Sequence, residues 1–243
     1  VKIGKGIDSM KVILTKTYEE GAQKGAEIIL AALKNKPDLL LGLATGETPL
    51  GIYKRLIEAY KAGEADFSRA RTVNLDEYVG CREEDSYRKF MFDNLFDHIN
   101  LAHDSITIAG HKADPGAEVS RLRGFFERNT VDLQLLGIGP NGHIGFNEPG
   151  EALEALVHVT PLAEATVQAN ARWFADGAVP TQAITMGMGD ILRARSILIM
   201  IKGESKRGVL RELLHKTTVT TQNPATFLHL HPDVTLIAEE SLT

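Results

Sequence analysis

Residues 137–150 read Gly137-Ile138-Gly139-Pro140-Asn141-Gly142-His143-Ile144-Gly145-Phe146-Asn147-Glu148-Pro149-Gly150, a histidine, a glutamate, two asparagines and five glycines within fourteen positions. An imidazole exchanges protons near neutral pH, and a neighbouring carboxylate sets its tautomer and basicity. His143 and Glu148 are therefore a candidate proton-handling pair, and the glycines would let backbone come close to a ligand. The competing reading of His143 is a structural loop histidine, which polar neighbours able to orient it make less comfortable. Gly137 to Gly142 also spells G-x-G-x-x-G, but the dinucleotide fingerprint must open a helix. Here Asn147, Pro149 and Gly150 follow too soon for one.

Three other places carry chemistry. Ala44-Thr45-Gly46-Glu47-Thr48-Pro49 reads as a turn into a helix, with Thr48 as cap and Pro49 as first helical residue. Free N–H groups at such an N-terminus favour an anion, although spacing alone fits an ordinary capped turn better. Asp76, in Asp76-Glu77-Tyr78, could serve as a general base if burial raised its pKa; alone it could equally be a solvated loop acid or a cap on the next turn. Lys206 and Arg207 fall in the expected first turn of a helix, where the dipole disfavours cations. An anionic ligand would resolve that conflict, and a solvated surface pair is the plainer alternative. Arg172, beside the single tryptophan Trp173, is a further candidate anion contact. His229 and His231 would share one face of a strand. They have no cysteine or acid beside them and read as structural rather than as metal ligands.

The elements that must position these residues follow from patterning. Strands are expected at Lys11–Thr15, Asp38–Ala44, Thr72–Leu75, Ser105–Ala109, Val131–Ile138, Ala183–Met186, Ser196–Ile201 and Val234–Ala238. Helices are expected near 18–34, 49–62, 86–97, 116–128, 164–175, 187–194 and 204–215. Continuous apolar runs such as Ile197 to Ile201 suit strands covered on both faces. The alternation implies a doubly wound, mostly parallel, Rossmann-like α/β sheet with helices on both faces. Ligands of such folds bind beyond the carboxyl ends of the strands, where all four chemical segments lie. Residues 10–243 are expected to form one domain with a small lid over about 150–175. Residues 1–9 are read as a cloning remnant or short extension.

Composition excludes several classes. The chain has 243 residues, 43% of them apolar, and a net charge of −5. That balance opposes nucleic acid as the main partner. The lone Cys81 cannot form an internal disulfide, which suits a reducing, cytoplasmic setting. No apolar run approaches the roughly 18 residues of a membrane helix.

With these residues laid out, the chain resembles the glucosamine-6-phosphate deaminase (isomerase) family. The resemblance rests on Leu43 to Pro49, Asn74-Leu75-Asp76-Glu77-Tyr78, Leu136 to Pro149, Asn170-Ala171-Arg172-Trp173-Phe174 and Gly203-Glu204-Ser205-Lys206. The Phe146-Asn147-Glu148-Pro149 ending separates deaminases from the related phosphogluconolactonases. The resemblance implies conversion of glucosamine 6-phosphate and water to fructose 6-phosphate and ammonia, without metal or organic cofactor. It assigns ring opening to His143, oriented by Glu148 and Asn141, and proton transfer from C2 to C1 to Asp76. The phosphate would lie on the Thr45-Gly46-Glu47-Thr48 backbone, clamped by Arg172 and Lys206.

Two departures from the family pattern are visible. Asn141 stands where many members carry aspartate, which implies a shifted pH optimum. Glu47 stands where a small residue is usual, and its side chain is expected to turn from the phosphate. Hexameric members use basic residues before the lid helix to bind an activator, N-acetylglucosamine 6-phosphate. Val157-His158-Val159-Thr160-Pro161 lacks them, so a non-allosteric monomer or small homo-oligomer is expected. The alternatives are a phosphogluconolactonase-type hydrolase and a non-catalytic sugar-phosphate sensor. Asp76, His143 and Glu148 favour catalysis over the sensor.

Overall fold

The computed structural model describes residues 2–5, 10–162, 167, 174 and 179–243. Eight strands form the main sheet: β1 (Lys2–Lys5), β2 (Met10–Thr15), β3 (Leu40–Leu43), β4 (Arg71–Asn74), β6 (Ile106–Thr107), β7 (Leu133–Leu136), β10 (Ser196–Ile201) and β11 (Val234–Glu239). Their order is β1-β2-β11-β10-β7-β3-β4-β6. Every pairing is parallel except β1 with β2. The N-terminal segment set apart in the sequence thus contributes an edge strand through Lys2–Lys5.

Alternation along β10 explains how the sheet is buried. Ile197, Ile199 and Ile201 face one apolar layer, with residues of α4 (Pro115–Arg128), α5 (Met188–Leu192) and α6 (Arg207–His215). Leu198 and Met200 face the other, with α1 (Tyr18–Asn35), α2 (Leu50–Lys61) and α3 (Tyr87–Asn94). The continuous apolar run is therefore a two-sided core strand, as parallel sheets require. From β3 the chain steps outward through β4 to β6, then returns to lay β7 against the other side of β3. That reversal creates a topological switch point, where the loops after β3 and β7 diverge and leave a crevice.

A second sheet was not legible in the sequence. β5 (Asp76–Tyr78), β9 (Gln182–Thr185) and β8 (His158–Pro161) pair antiparallel in the order β5-β9-β8. The strand expected at Ala183–Met186 belongs here and not to the main sheet. Asp76 lies opposite Thr185, so the candidate base sits on a strand rather than on a free loop. Expected and observed helices otherwise agree to within a few residues. The helix expected at 164–175, and Arg172 with it, lies outside the described residues apart from Val167 and Phe174. Among the described residues no helix is long and apolar enough to cross a membrane.

Candidate active site

The switch point holds a cavity of about 700 Å³. Thr45, Gly46, Glu47 and Thr48 line it from the loop after β3, Asp76 from β5, and Gly137 to Asn141, His143, Gly145 and Phe146 from the loop after β7. Ser205 and Lys206 enter from the segment after β10, and Tyr87 from α3. The fold thus brings together nearly all of the sequence-derived candidates. Glu148 does not line the cavity but reaches it through His143, Arg172 lies outside the described residues, and Arg207 is engaged elsewhere. Its guanidinium pairs with Glu204 at 2.6 Å and donates to the Ser241 carbonyl at 2.7 Å, which spends it outside the cavity.

The loop after β7 is shaped around His143. Gly139 N–H donates to the His143 carbonyl at 2.9 Å, closing a tight turn. A Cβ on Gly139 would stand 2.3 to 2.4 Å from three atoms of the His143 ring, so only glycine leaves room for the imidazole there. Gly145 has φ of +60°, and a Cβ on it would meet Thr185 Oγ1 at 2.8 Å and Asp76 Oδ2 at 3.3 Å. Glycine at this position lets the His143 loop press against the Asp76 strand. Of the glycines read as G-x-G-x-x-G, Gly139 and Gly142 leave room for the side chains of His143 and Asn223, and a Cβ on Gly137 would meet nothing within 4 Å. Buried Asn147 fastens the loop by donating to the Ile144 carbonyl at 2.9 Å and the Met186 carbonyl at 2.8 Å. Phe146 N–H adds a bond to Thr185 Oγ1 at 3.2 Å.

His143 Nδ1 lies 3.1 Å from Glu148 Oε1 and 3.2 Å from Oε2. A carboxylate there holds the proton on Nδ1 and leaves Nε2 as the exchanging atom. Asn141 Nδ2 donates to Glu148 Oε2 at 2.7 Å, and its Oδ1 accepts from the His143 backbone N–H at 3.2 Å. Asn141 thus acts on the imidazole through Glu148 and the turn, without bonding to the ring itself.

Asp76 is almost wholly buried. Desolvation, followed by the charge of Glu77, pushes its carboxyl up to about 8. A carboxylate that must be desolvated is a stronger base than one in water. Lys206 is half-buried, and burial alone lowers its ammonium. No acid among the described residues pairs with it, so it is available to a ligand anion.

The turn after β3 departs from its expected capping. Pro49, not Thr48, is the cap of α2, and neither residue's side chain satisfies the helix. The phenol of Tyr18 does so instead. It accepts from Gly51 N–H at 2.8 Å and donates to the Thr48 carbonyl at 2.9 Å. Lys202 Nζ lies 4.1 Å from the centre of the same ring. The Thr48 side chain is therefore left free to line the cavity. Of the histidines set aside as structural, His231 spends both ring nitrogens in the fold, on the Ala194 carbonyl and the Asp233 N–H.

Sequence reasoning missed Tyr87, Phe146 and Ser205 as lining residues. Tyr87 stacks on Phe146 (ring planes 4° apart) and donates to the Tyr78 hydroxyl at 3.1 Å. Its only signal was a tyrosine opening an expected helix.

Fold and site together define an α/β enzyme that handles protons in a cavity at the switch point of a parallel sheet. Known proteins narrow that class. The family model for glucosamine-6-phosphate isomerases and 6-phosphogluconolactonases matches residues 15–237, and the chain belongs to this family. It is 48% identical over 236 residues to a glucosamine-6-phosphate deaminase of Thermoanaerobacter pseudethanolicus, covering 95% of this chain and 93% of that one. It is 45% identical over 239 residues to one of Clostridium perfringens, covering 95% and 97%. A solved monomeric glucosamine-6-phosphate deaminase superposes with a TM-score of 0.91 at 42% identity, covering 95% of this chain and 98% of that one. A 6-phosphogluconolactonase of Thermotoga maritima shares the fold, with a TM-score of 0.74 at 19% identity and coverage of 96% and 99%.

Proposed function

We propose that this chain converts glucosamine 6-phosphate and water to fructose 6-phosphate and ammonia. The observation that carries the reading is a buried Asp76 sharing one cavity with the oriented His143–Glu148 pair and an accessible Lys206. Naming of its relatives as glucosamine-6-phosphate deaminases supports it.

In this reading the phosphate sits on the backbone from Thr45 to Thr48 and against Lys206, with Arg172 as a further clamp. A dianionic handle held there positions C1 and C2 at the far side of the cavity. His143 transfers the proton between the ring oxygen and O1, opening the pyranose. Asp76 then takes the proton from C2 as O1 gains one, which gives an enolamine. It delivers that proton to C1 as the amino group gives up a proton, which leaves an imine at C2 and a hydroxyl on C1. Water adds to that carbon and ammonia departs, so atoms and charge balance. No step calls for a metal or organic cofactor, and the substrate is the only partner required. Residues 10–243 act as one catalytic domain, with about 150–175 as its lid.

The deciding experiment measures ammonia release from glucosamine 6-phosphate, with Asp76→Asn as control and hydrolysis of 6-phosphogluconolactone run in parallel. Release that disappears in Asp76→Asn supports the reading. A folded parent that hydrolyses the lactone and releases no ammonia overturns it.

We further infer that the enzyme is non-allosteric, a monomer or small homo-oligomer. The stretch from Val157 to Pro161 carries no arginine or lysine to bind an anionic activator. Saturation kinetics should be hyperbolic with or without N-acetylglucosamine 6-phosphate. Sigmoidal curves relieved by that compound would refute the inference.

A further inference from the structure

Behind Asp76 lies a second acid that the proposed reaction does not use. Glu77 is wholly buried. Strand alternation points it away from the face that carries Asp76. Its Oε1 accepts from Tyr78 N–H at 2.9 Å and Tyr87 N–H at 2.8 Å, and its Oε2 accepts from Arg88 N–H at 2.8 Å. Tyr87 and Arg88 are the first two residues of α3, whose cap Ser86 takes the Lys89 N–H at 3.0 Å. Glu77 thus satisfies helix donors that the cap does not reach, at the end where the dipole favours an anion.

We propose that Glu77 is a positioning residue for the reaction: its carboxylate clamps the first turn of α3 to β5, holding Tyr87 against the cavity, and places a negative charge behind Asp76. The proposal rests on the deaminase reading above. All three of its bonding partners are N–H donors, so the arrangement fits the ionised form. Burial raises Glu77 to about 7 while these bonds pull it down, and Asp76 is pushed to about 8. Three N–H donors stabilise the ionised form of Glu77, whereas Asp76 has no such set among the described residues, so Asp76 loses its proton beside that charge. The effect on Asp76 is to keep it a strong base.

The other titratable groups around the pair are phenols, thiol or more distant acids. Tyr53 of α2 is buried, with its hydroxyl 2.5 Å from the Ala44 carbonyl. Tyr78 and Tyr87 share a hydroxyl–hydroxyl bond. Cys81, Glu83 and Asp85 lie on the connection from β5 to α3, and burial pushes the Cys81 thiol up to about 12. The Arg88 guanidinium stacks over Phe92 at 4.8 Å. His143 and Lys206 line the same cavity as Asp76.

The test is Glu77→Gln, which keeps shape and removes charge. The acidic limb of its kcat/KM profile for ammonia release should move to lower pH by roughly one unit, because Asp76 then loses its proton more easily. Hydrogen exchange at the Tyr87 and Arg88 amides should quicken at least tenfold, because the amide side chain cannot accept all three bonds. A folded Glu77→Gln with an unmoved limb overturns the proposal, whatever its stability. Should that variant not fold, Glu77→Asp keeps the charge but falls short by one methylene. It should retain the limb, exchange faster at α3 and lose at least tenfold in kcat/KM; parent-like kcat/KM and exchange would overturn the proposal. Amide exchange needs no activity, so a parent that releases no ammonia would sink the deaminase reading and still leave the clamp measurable.

Discussion

Asn141 carries the most specific chemical consequence of any single residue in the site. Its amide nitrogen is 2.7 Å from Glu148 Oε2. An aspartate placed there would set two carboxylate oxygens at that separation, which is tolerable only if they share a proton. Asn141→Asp should therefore give a pH–rate profile with an added titration, as the pair gives up its shared proton. Identical profiles for parent and variant would show that residue 141 does not influence the imidazole. The parent's own acidic limb has a different origin. Asp76, raised to about 8 by burial, must be deprotonated to act. Its kcat/KM should rise with pH through that region and flatten above it, as free-enzyme profiles report such groups. A limb centred near pH 4 would mean that Asp76 is solvated in solution or is not the base.

At the scale of elements, the site depends on loops that are braced by backbone contact. Gly139 shows how strictly. Gly139→Ala would drive a methyl into the His143 ring, with all three contacts under 2.5 Å. The imidazole must leave its place over the turn, and its pairing with Glu148 goes with it. Activity should fall by at least about 100-fold, the scale on which small displacements of catalytic groups act. Gly139 is itself buried, so activity is compared at a temperature where the variant is fully folded. Parent-like turnover with full stability would disprove this account of Gly139. The same bracing explains what the sequence could and could not reveal. Main-sheet strands were legible because both faces are apolar, as in Ile197 to Ile201. β5 was not, because three residues, Asp76 to Tyr78, carry no period, and their strand character comes from pairing with β9 across about a hundred residues of chain. The Thr48 cap failed for a similar reason: the acceptor of the Gly51 N–H is Tyr18, a residue of another helix. Glu77 drew no reading of its own because two of its three donors, on Tyr87 and Arg88, meet it only when α3 folds back on it. Local chemistry was legible in the residues, whereas the partners that tune it come from distant segments.

For the whole molecule, the site is a cost borne by the fold. Asp76 and Glu77 are two carboxyls held largely out of water, each raised above its unfolded value of 3.8 or 4.5, to about 8 and about 7. A raised carboxyl binds its proton more tightly folded than unfolded. Its contribution to stability is therefore fully present below the unfolded pKa and is lost as pH rises through the folded one. The protein should lose stability between about pH 4 and pH 8 from this source, against a core that is otherwise indifferent to pH. Asp76→Asn removes the larger of the two titrations. Denaturant unfolding of parent and variant should agree most closely near pH 4, where both side chains are neutral. The variant should gain steadily up to pH 8, by an amount on the order of a few kcal/mol. A gap that does not grow with pH would show that Asp76 ionises in the folded protein as it does in water, and the general-base role would fall with it. A growing gap would show that stability has been given up at the residue on which the chemistry depends. That is the pattern expected where selection has acted on reactivity rather than on the fold.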